Sequence, residues 1–234
     1  MGYVGVAPGT TTLQLPDGSV IALADWIDDK LYGSAQLQNG DTQQIEVFSN
    51  GRSQPIPGGT RAQTRVDTNV PRNGDNGLPK DWEMLVYGVA IKLVRACRPQ
   101  TGATEPVLAD GAGALSDPLT HRTSFQIDRI LFFEFQYNAK AYTNGTIQNF
   151  PTGHGFWVFS TNAAFEIANN GVPSPRDRVA LVLPVHMREN LGYKGIFQPE
   201  AAIAIAQAAS DGGNALAFVD VRVELNGLIK RTVV

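Results

Sequence analysis

Ala215-Leu216-Ala217-Phe218-Val219-Asp220-Val221-Arg222-Val223-Glu224-Leu225-Asn226-Gly227 is the stretch whose reading decides the fold. Ala215, Ala217, Val219, Val221, Val223 and Leu225 recur at every second position, with Asp220, Arg222, Glu224 and Asn226 between the last of them. Successive side chains of a β-strand point to opposite faces, so this alternation predicts a strand with one face inward and one outward. The valines reinforce it, because branching at Cβ suits a pleated, half-buried surface. Asn226-Gly227 reads as a two-residue hairpin turn, which leaves 228–234 as a last short strand.

Working back along the chain, the same period returns. In 81–98, Leu85, Tyr87, Val89, Ile91 and Leu93 fall on one face, ended by Glu83 and Arg95, with Val86 and Val94 on the other. Aromatic and β-branched content, with Gly88 inside, favours a strand over a helix here. In 125–141, Leu131, Phe133, Phe135 and Tyr137 share a face opposite Ile130 and Phe132, and Asn144-Gly145 signals a turn. Shorter strands are expected over 43–50, 155–160, 179–185 and 193–197, the last at a sheet edge.

Three segments carry helical signals instead. In 20–31, Val20, Leu23, Ala24, Ile27 and Leu31 recur at spacings of three and four. Asp17-Gly18-Ser19 offers cap chemistry before them, Gly33 ends them, and Asp25, Asp28, Asp29 and Lys30 line the wet side. Short helices are also expected over 162–170 and over the Ala-rich 200–210, which follows Pro199 and stops before Gly212-Gly213. About eight strands, long loops and two or three short helices predict a mostly β, two-sheet sandwich formed by 1–234 as one domain. The 24 glycines and 14 prolines supply the turns this architecture needs.

Three segments stand outside the strands. Residues 1–18 are small and uncharged until Asp17, an extended arm. Residues 50–80 hold Pro55-Ile56-Pro57-Gly58-Gly59 and Asn73-Gly74-Asp75-Asn76-Gly77, and 99–122 form a second long loop. Long loops in a compact domain are usually functional, so 50–80 is the first candidate for an interaction surface. Within 52–72, Arg52, Arg61, Arg65 and Arg72 stand against Asp67 only, and a solvated loop is the plainer reading of them.

Composition excludes several classes. A formal net charge of −3 argues against a protein whose main task is coating nucleic acid, which needs an excess of Lys and Arg. One cysteine, Cys97, forbids an intrachain disulfide, and after its apolar run it reads as a buried, inert thiol. The opening Met1-Gly2-Tyr3-Val4-Gly5-Val6 has no secretory pattern, and Val6 stands where myristoylation wants Ser or Thr. No apolar run reaches the roughly 20 residues that span a bilayer.

Nor do the motifs of chemistry assemble. His121, His154 and His186 show no metal-pair spacing. There is no nucleophile elbow, P-loop or dinucleotide fingerprint. Asp25, Asp28 and Asp29 lack the spacing of a calcium loop. A sandwich-fold hydrolase would fall first on Glu134, mid-strand among aromatics, or on His154 between two glycines. The aromatic clusters read as core, although such rings can also stack sugars or bases. The expectation is a non-enzymatic protein without cofactors that binds or assembles, with a carbohydrate- or ligand-binding sandwich as the alternative.

A resemblance sharpens this. Pro57-Gly58-Gly59-Thr60, the run Gly77-Leu78-Pro79-Lys80-Asp81-Trp82-Glu83-Met84-Leu85-Val86-Tyr87 and the ending Val221-Arg222-Val223-Glu224-Leu225-Asn226-Gly227-Leu228-Ile229-Lys230-Arg231 resemble capsid proteins of tailless icosahedral bacterial viruses. The likeness lies in polar, Arg/Asn-rich loops feeding long strands and in a terminal strand that closes a sheet, over about half the chain. It implies a jelly-roll β-sandwich in a virion shell, assembled in the host cytoplasm into trimers or larger capsomers. Its partners would be copies of itself and other capsid proteins, with an internal membrane or the genome as further contacts, and no small-molecule substrate. Arg52, Arg61, Arg65, Arg72, Trp82 and Arg231 are the expected subunit contacts.

Overall fold

The computed structural model describes residues 11–14, 18, 20–70, 77–98, 107–108, 127–150, 157–161, 165–169, 179–205 and 218–231. From Phe218 onward the deciding stretch is a strand in the interior of its sheet. β13 (Phe218–Lys230) lies between β3 (Trp26–Gln38) and β5 (Glu83–Arg98), antiparallel to both. β11 (Val179–Met187) pairs with the far side of β5 and ends this sheet, and the two-residue β6 (Val107–Leu108) also pairs with β5. The second sheet runs β4 (Ile45–Val47), β12 (Tyr193–Pro199), β7 (Leu131–Tyr137), β8 (Lys140–Thr146). Two separate hairpins complete the described strands: β1 (Thr12–Gln14) with β2 (Val20–Ala22), and β9 (Trp157–Thr161) with β10 (Phe165–Asn169).

The pairing rule of the two large sheets identifies the architecture. In chain order their eight main strands are β3, β4, β5, β7, β8, β11, β12 and β13. The first pairs with the last, the second with the seventh, the third with the sixth and the fourth with the fifth. Alternate pairs go to alternate sheets, giving the orders β3-β13-β5-β11 and β4-β12-β7-β8. A long antiparallel hairpin rolled on itself produces this order, and it is the jelly roll.

Between the sheets lies the apolar core. β13 contributes Val219, Val221, Val223 and Leu225, and β3 contributes Leu31, Ala35 and Leu37, all buried. They face Leu131, Phe133, Phe135 and Tyr137 of β7 and Tyr193 and Phe197 of β12. The Phe133 ring meets Phe150 edge-on at 5.3 Å and Phe197 at 5.2 Å. Each large side chain taken fully out of water here contributes roughly 1.5–3 kcal/mol. The face expected for β7 is therefore the observed one.

Several expectations are corrected. Residues 20–31 form no helix: they contain β2, one 3-10 turn (Leu23–Asp25) and the start of β3. Thirteen register pairs with β13 outweigh a local spacing that also fits a helix. Residues 165–169 of the second expected helix are β10, paired to β9. In the third, 201–205 are not helical, and 206–210 lie outside the described residues. The β12 strand is central, not an edge. The β7–β8 turn falls at Asn138-Ala139, both with positive φ (49° and 60°) as a two-residue hairpin of this type requires, so Asn144-Gly145 lies inside β8.

The strand β5 also switches faces partway. A bulge interrupts the β5–β13 register between Asn226 and Gly227, so Met84 and Val86 point inward before it and Val89 and Ile91 after it. Asn226 and Gly227 pair with Gly88 and Val86, so the extra residue of the bulge is Tyr87; Asn226-Gly227 lies opposite it and is not a hairpin, and β13 continues to Lys230. A Cβ on Gly227 would fall on the Leu85 carbonyl oxygen and lie 2.9 Å from its carbon, so glycine is required by the close approach of the two backbones.

Candidate functional site: the outer face of one sheet

The outer face of the β3-β13-β5-β11 sheet carries the alternate residues of each strand, and it divides into three clusters. At one end the segment following β4 folds back over the sheet. Gln36 N donates to Pro57 O at 2.8 Å, Tyr32 N to Asn69 Oδ1 at 2.7 Å and Ser34 Oγ to Asp67 O at 2.8 Å. These bonds blunt the free edge of β3, which would otherwise present unpaired backbone groups. The segment also buries the polar face of β13: Asp220 is 0% exposed and Glu224 is 7% exposed. The expected wet face is thus partly covered, while Arg52, Ser53, Arg65 and Val66 of the covering segment stay exposed. Within it Ile56, Gln63, Asp67, Thr68 and Val70 are buried.

Arg61 is the clamp of this cover. Its Nη1 and Nη2 each lie 2.8 Å from the Asp67 carboxylate, and Nη2 lies 3.1 Å from Asp220 Oδ2. Gln36 Nε2 donates to Asp220 Oδ1 at 3.2 Å. Burial pushes the Asp67 carboxyl up, but hydrogen bonds from Arg61 and from Thr64 outweigh it and hold it at about 2. Of the other expected contact residues, Arg52 and Arg65 are exposed, and Arg72 lies outside the described residues.

The middle cluster centres on Glu224. Lys92 Nζ lies 2.5 Å and Lys30 Nζ 3.2 Å from its carboxylate, with Arg222 at 4.0 Å. Burial raises this carboxyl and the two lysines, Lys92 before Lys30, bring it below its usual range. The Arg222 guanidinium sits 4.9 Å over the Tyr32 ring and donates to Val66 O.

At the far end each of the four strands contributes one outward side chain: Trp26 from β3, Lys230 from β13, Glu83 from β5 and His186 from β11. The register sets Trp26 opposite Lys230, Lys230 opposite Glu83, and His186 opposite the neighbouring Leu85. Glu83 Oε2 and His186 Nε2 are 2.6 Å apart, Lys230 Nζ is 3.5 Å from Glu83 Oε1, and the Trp26 and His186 rings are 6.2 Å apart. Beside them Asp81 N donates to Glu189 Oε2 at 2.5 Å. Arg231 lies 4.8 Å over the Trp82 ring and pairs with Asp29. Asp81, Trp82, Glu83, His186, Arg188, Glu189 and Lys230 line an open cavity of about 760 Å³. Of the expected contact residues, Trp82 stands in its wall and Arg231 stacks on Trp82.

The carboxylate–imidazole pair was invisible in the sequence, where 103 positions separate Glu83 from His186. Only the antiparallel β5–β11 register joins them. Of the suspected hydrolytic residues, Glu134 is half-buried on β7 and hydrogen-bonded by Gln136 Nε2, while His154, like His121, lies outside the described residues. Among the described residues, no three His, Cys, Asp or Glu side chains group as metal ligands, and no helix is long and apolar enough to cross a membrane. Away from the cavity, β11 ends its sheet, and between Ala180 and Val185 its register with β5 shifts. Val182 and Leu183 there are 89% and 66% exposed. No protein-family model, no curated protein and no solved structure matches this chain.

Proposed function

We propose that this protein is a structural subunit that assembles with copies of itself into a shell, as the capsid-like stretches of its sequence suggest. A jelly roll by itself hosts several functions, lectins and cupins among them, so the argument rests on surfaces. The slot between the sheets, where such folds can hold ligands, is filled by Phe133, Phe135, Tyr193 and Phe197. What remains for function is exterior. The observation that carries the reading is Val182-Leu183, an apolar pair presented to water on a terminal strand whose register is broken at that point. The opposite terminal strand, β3, is covered by its own chain. One protected edge and one apolar, exposed edge suit a subunit that meets its neighbour along β11.

Light scattering of the full chain across a concentration series tests this, together with negative-stain images. Trimers or larger assemblies are expected. A Val182→Ser/Leu183→Ser variant should shift the population toward monomer while keeping the wild-type melting temperature. A protein that stays monomeric at the highest attainable concentration overturns the reading, as does a serine variant that assembles like wild type.

A further inference from the structure

We propose that the cavity at the Glu83–His186 end of the sheet binds a neutral saccharide. The inference goes beyond the shell reading and does not depend on it, because the cavity lies on a single chain. Its volume of about 760 Å³ falls within the usual range of small-molecule sites, roughly 300–1,000 Å³, and leaves room for about two sugar rings.

The wall chemistry selects the ligand. Asp81, Glu83 and Glu189 set three carboxylates against the two cations Arg188 and Lys230, one negative charge in excess apart from the His186 imidazole. An anionic ligand enters against that balance. A purely apolar ligand displaces the water on these charged groups and returns none of its hydrogen bonds. A hydroxyl both donates and accepts, so a polyol satisfies carboxylates and ammonium or guanidinium groups at once and brings no net charge to desolvate.

The polar groups are also fixed in advance. Glu83 is held between His186 at 2.6 Å and Lys230 at 3.5 Å, and Glu189 by the Asp81 backbone N–H at 2.5 Å. Trp26 braces the His186 ring from outside the cavity, and Arg231 pins the Trp82 indole. Side chains already ordered lose little entropy when a ligand arrives, which is how a shallow open site gains affinity. Trp82 and Ile21 give the wall an apolar part against which the C–H face of a sugar ring packs.

The test uses the full chain. Its tryptophan fluorescence and ligand-observed saturation-transfer NMR are followed against glucose, galactose, mannose, N-acetylglucosamine and lactose, with inorganic phosphate, glucose 6-phosphate and butylamine as charged controls. At least one neutral sugar is expected to give a saturable response that the controls do not. Glu83→Gln should weaken that sugar at least tenfold, equivalent to about 1.4 kcal/mol, with an unchanged melting temperature. If Glu83→Gln does not fold, Glu189→Gln is read by the same criterion. Absence of a saturable response to every neutral sugar up to its solubility overturns the proposal. So does a response to the charged controls alone, or binding that survives the Gln variant.

Discussion

Replacing Arg61 with alanine tests the buried cover on the outer sheet face. The substitution removes both guanidinium bonds to Asp67 and the one to Asp220, while Thr64 N at 2.7 Å and Thr64 Oγ1 at 2.9 Å stay on Asp67 and Gln36 Nε2 at 3.2 Å on Asp220. The Asp67 and Asp220 side chains are 2% and 1% exposed, so water does not replace the lost guanidinium. Removing one member of a buried ion pair costs about 3–5 kcal/mol, because the other member stays buried and uncompensated. Arg61 itself is 17% exposed, which places the loss near the lower value, about 3 kcal/mol. For a chain of this length each kcal/mol lowers the melting temperature by roughly 2–4 °C, so a fall of about 6–12 °C follows.

Proton linkage supplies a second readout of different sign. The Asp67 carboxyl lies at about 2 in the folded protein against 3.8 for an unperturbed aspartate, a gap equivalent to roughly 2.5 kcal/mol. A depressed folded value means that this stabilisation is complete above about pH 4 and is lost as the pH falls toward 2. Without Arg61, burial dominates and protonation relieves the carboxylates. The wild-type-minus-variant difference in urea unfolding therefore narrows as the pH falls from 7 to about 4. A loss below about 1 kcal/mol at pH 7, or a difference independent of pH, would refute the claim that Arg61 neutralises buried charge.

Two further perturbations address the backbone and a second carboxyl. Gly227→Ala drives a methyl onto the Leu85 carbonyl at the β5–β13 bulge and should cost about 1–3 kcal/mol in chemical denaturation, while the neighbouring Asn226→Ala changes stability far less. Burial raises the Asp128 carboxyl to about 6. Between pH 4 and 6 the folded state keeps a proton that the unfolded chain releases, so stability falls as the pH rises through this window. Asp128→Asn should flatten that slope and raise the melting temperature at pH 7; an unaltered slope assigns it to other groups.

The parts of this fold legible in sequence were those governed by a two-residue period. The inward faces of β13 and β7 follow from Val219 to Leu225 and from Leu131 to Tyr137, because alternation fixes the face without knowledge of the partner strand. The same period misleads where a bulge inserts a residue. Leu85 and Val89 share a parity in sequence, yet Val89 joins the core between the sheets and Leu85 does not. Gly88 and Gly227 were the available signals, one read as ordinary strand and the other as a turn. Residues 20–31 failed for a different reason. Their apolar spacing fits a helix locally, and only the pairing to β13, nearly 200 residues away, decides for a strand.

Polar alternation was taken to mean solvent, and that step accounts for most of what the sequence concealed about the site. Asp220 and Glu224 do point away from the core, but Arg61 from the covering segment is the counter-charge of Asp220, and Lys92 and Lys30 of the sheet itself neutralise Glu224. A sheet whose outer face is closed in this way cannot use its whole surface for contacts. The cover stops short of the end where Trp26, Lys230, Glu83 and His186 emerge, and the β11 edge is left unpaired by the described segments. Among the described residues, the two surfaces proposed for interaction differ in chemistry, one apolar and one mixed in charge. The proposed subunit association along β11 and the proposed ligand capture at the Glu83–His186 end therefore draw on separate residues. Substitutions at Val182 and Leu183 should leave saccharide binding intact, and Glu83→Gln should leave assembly intact.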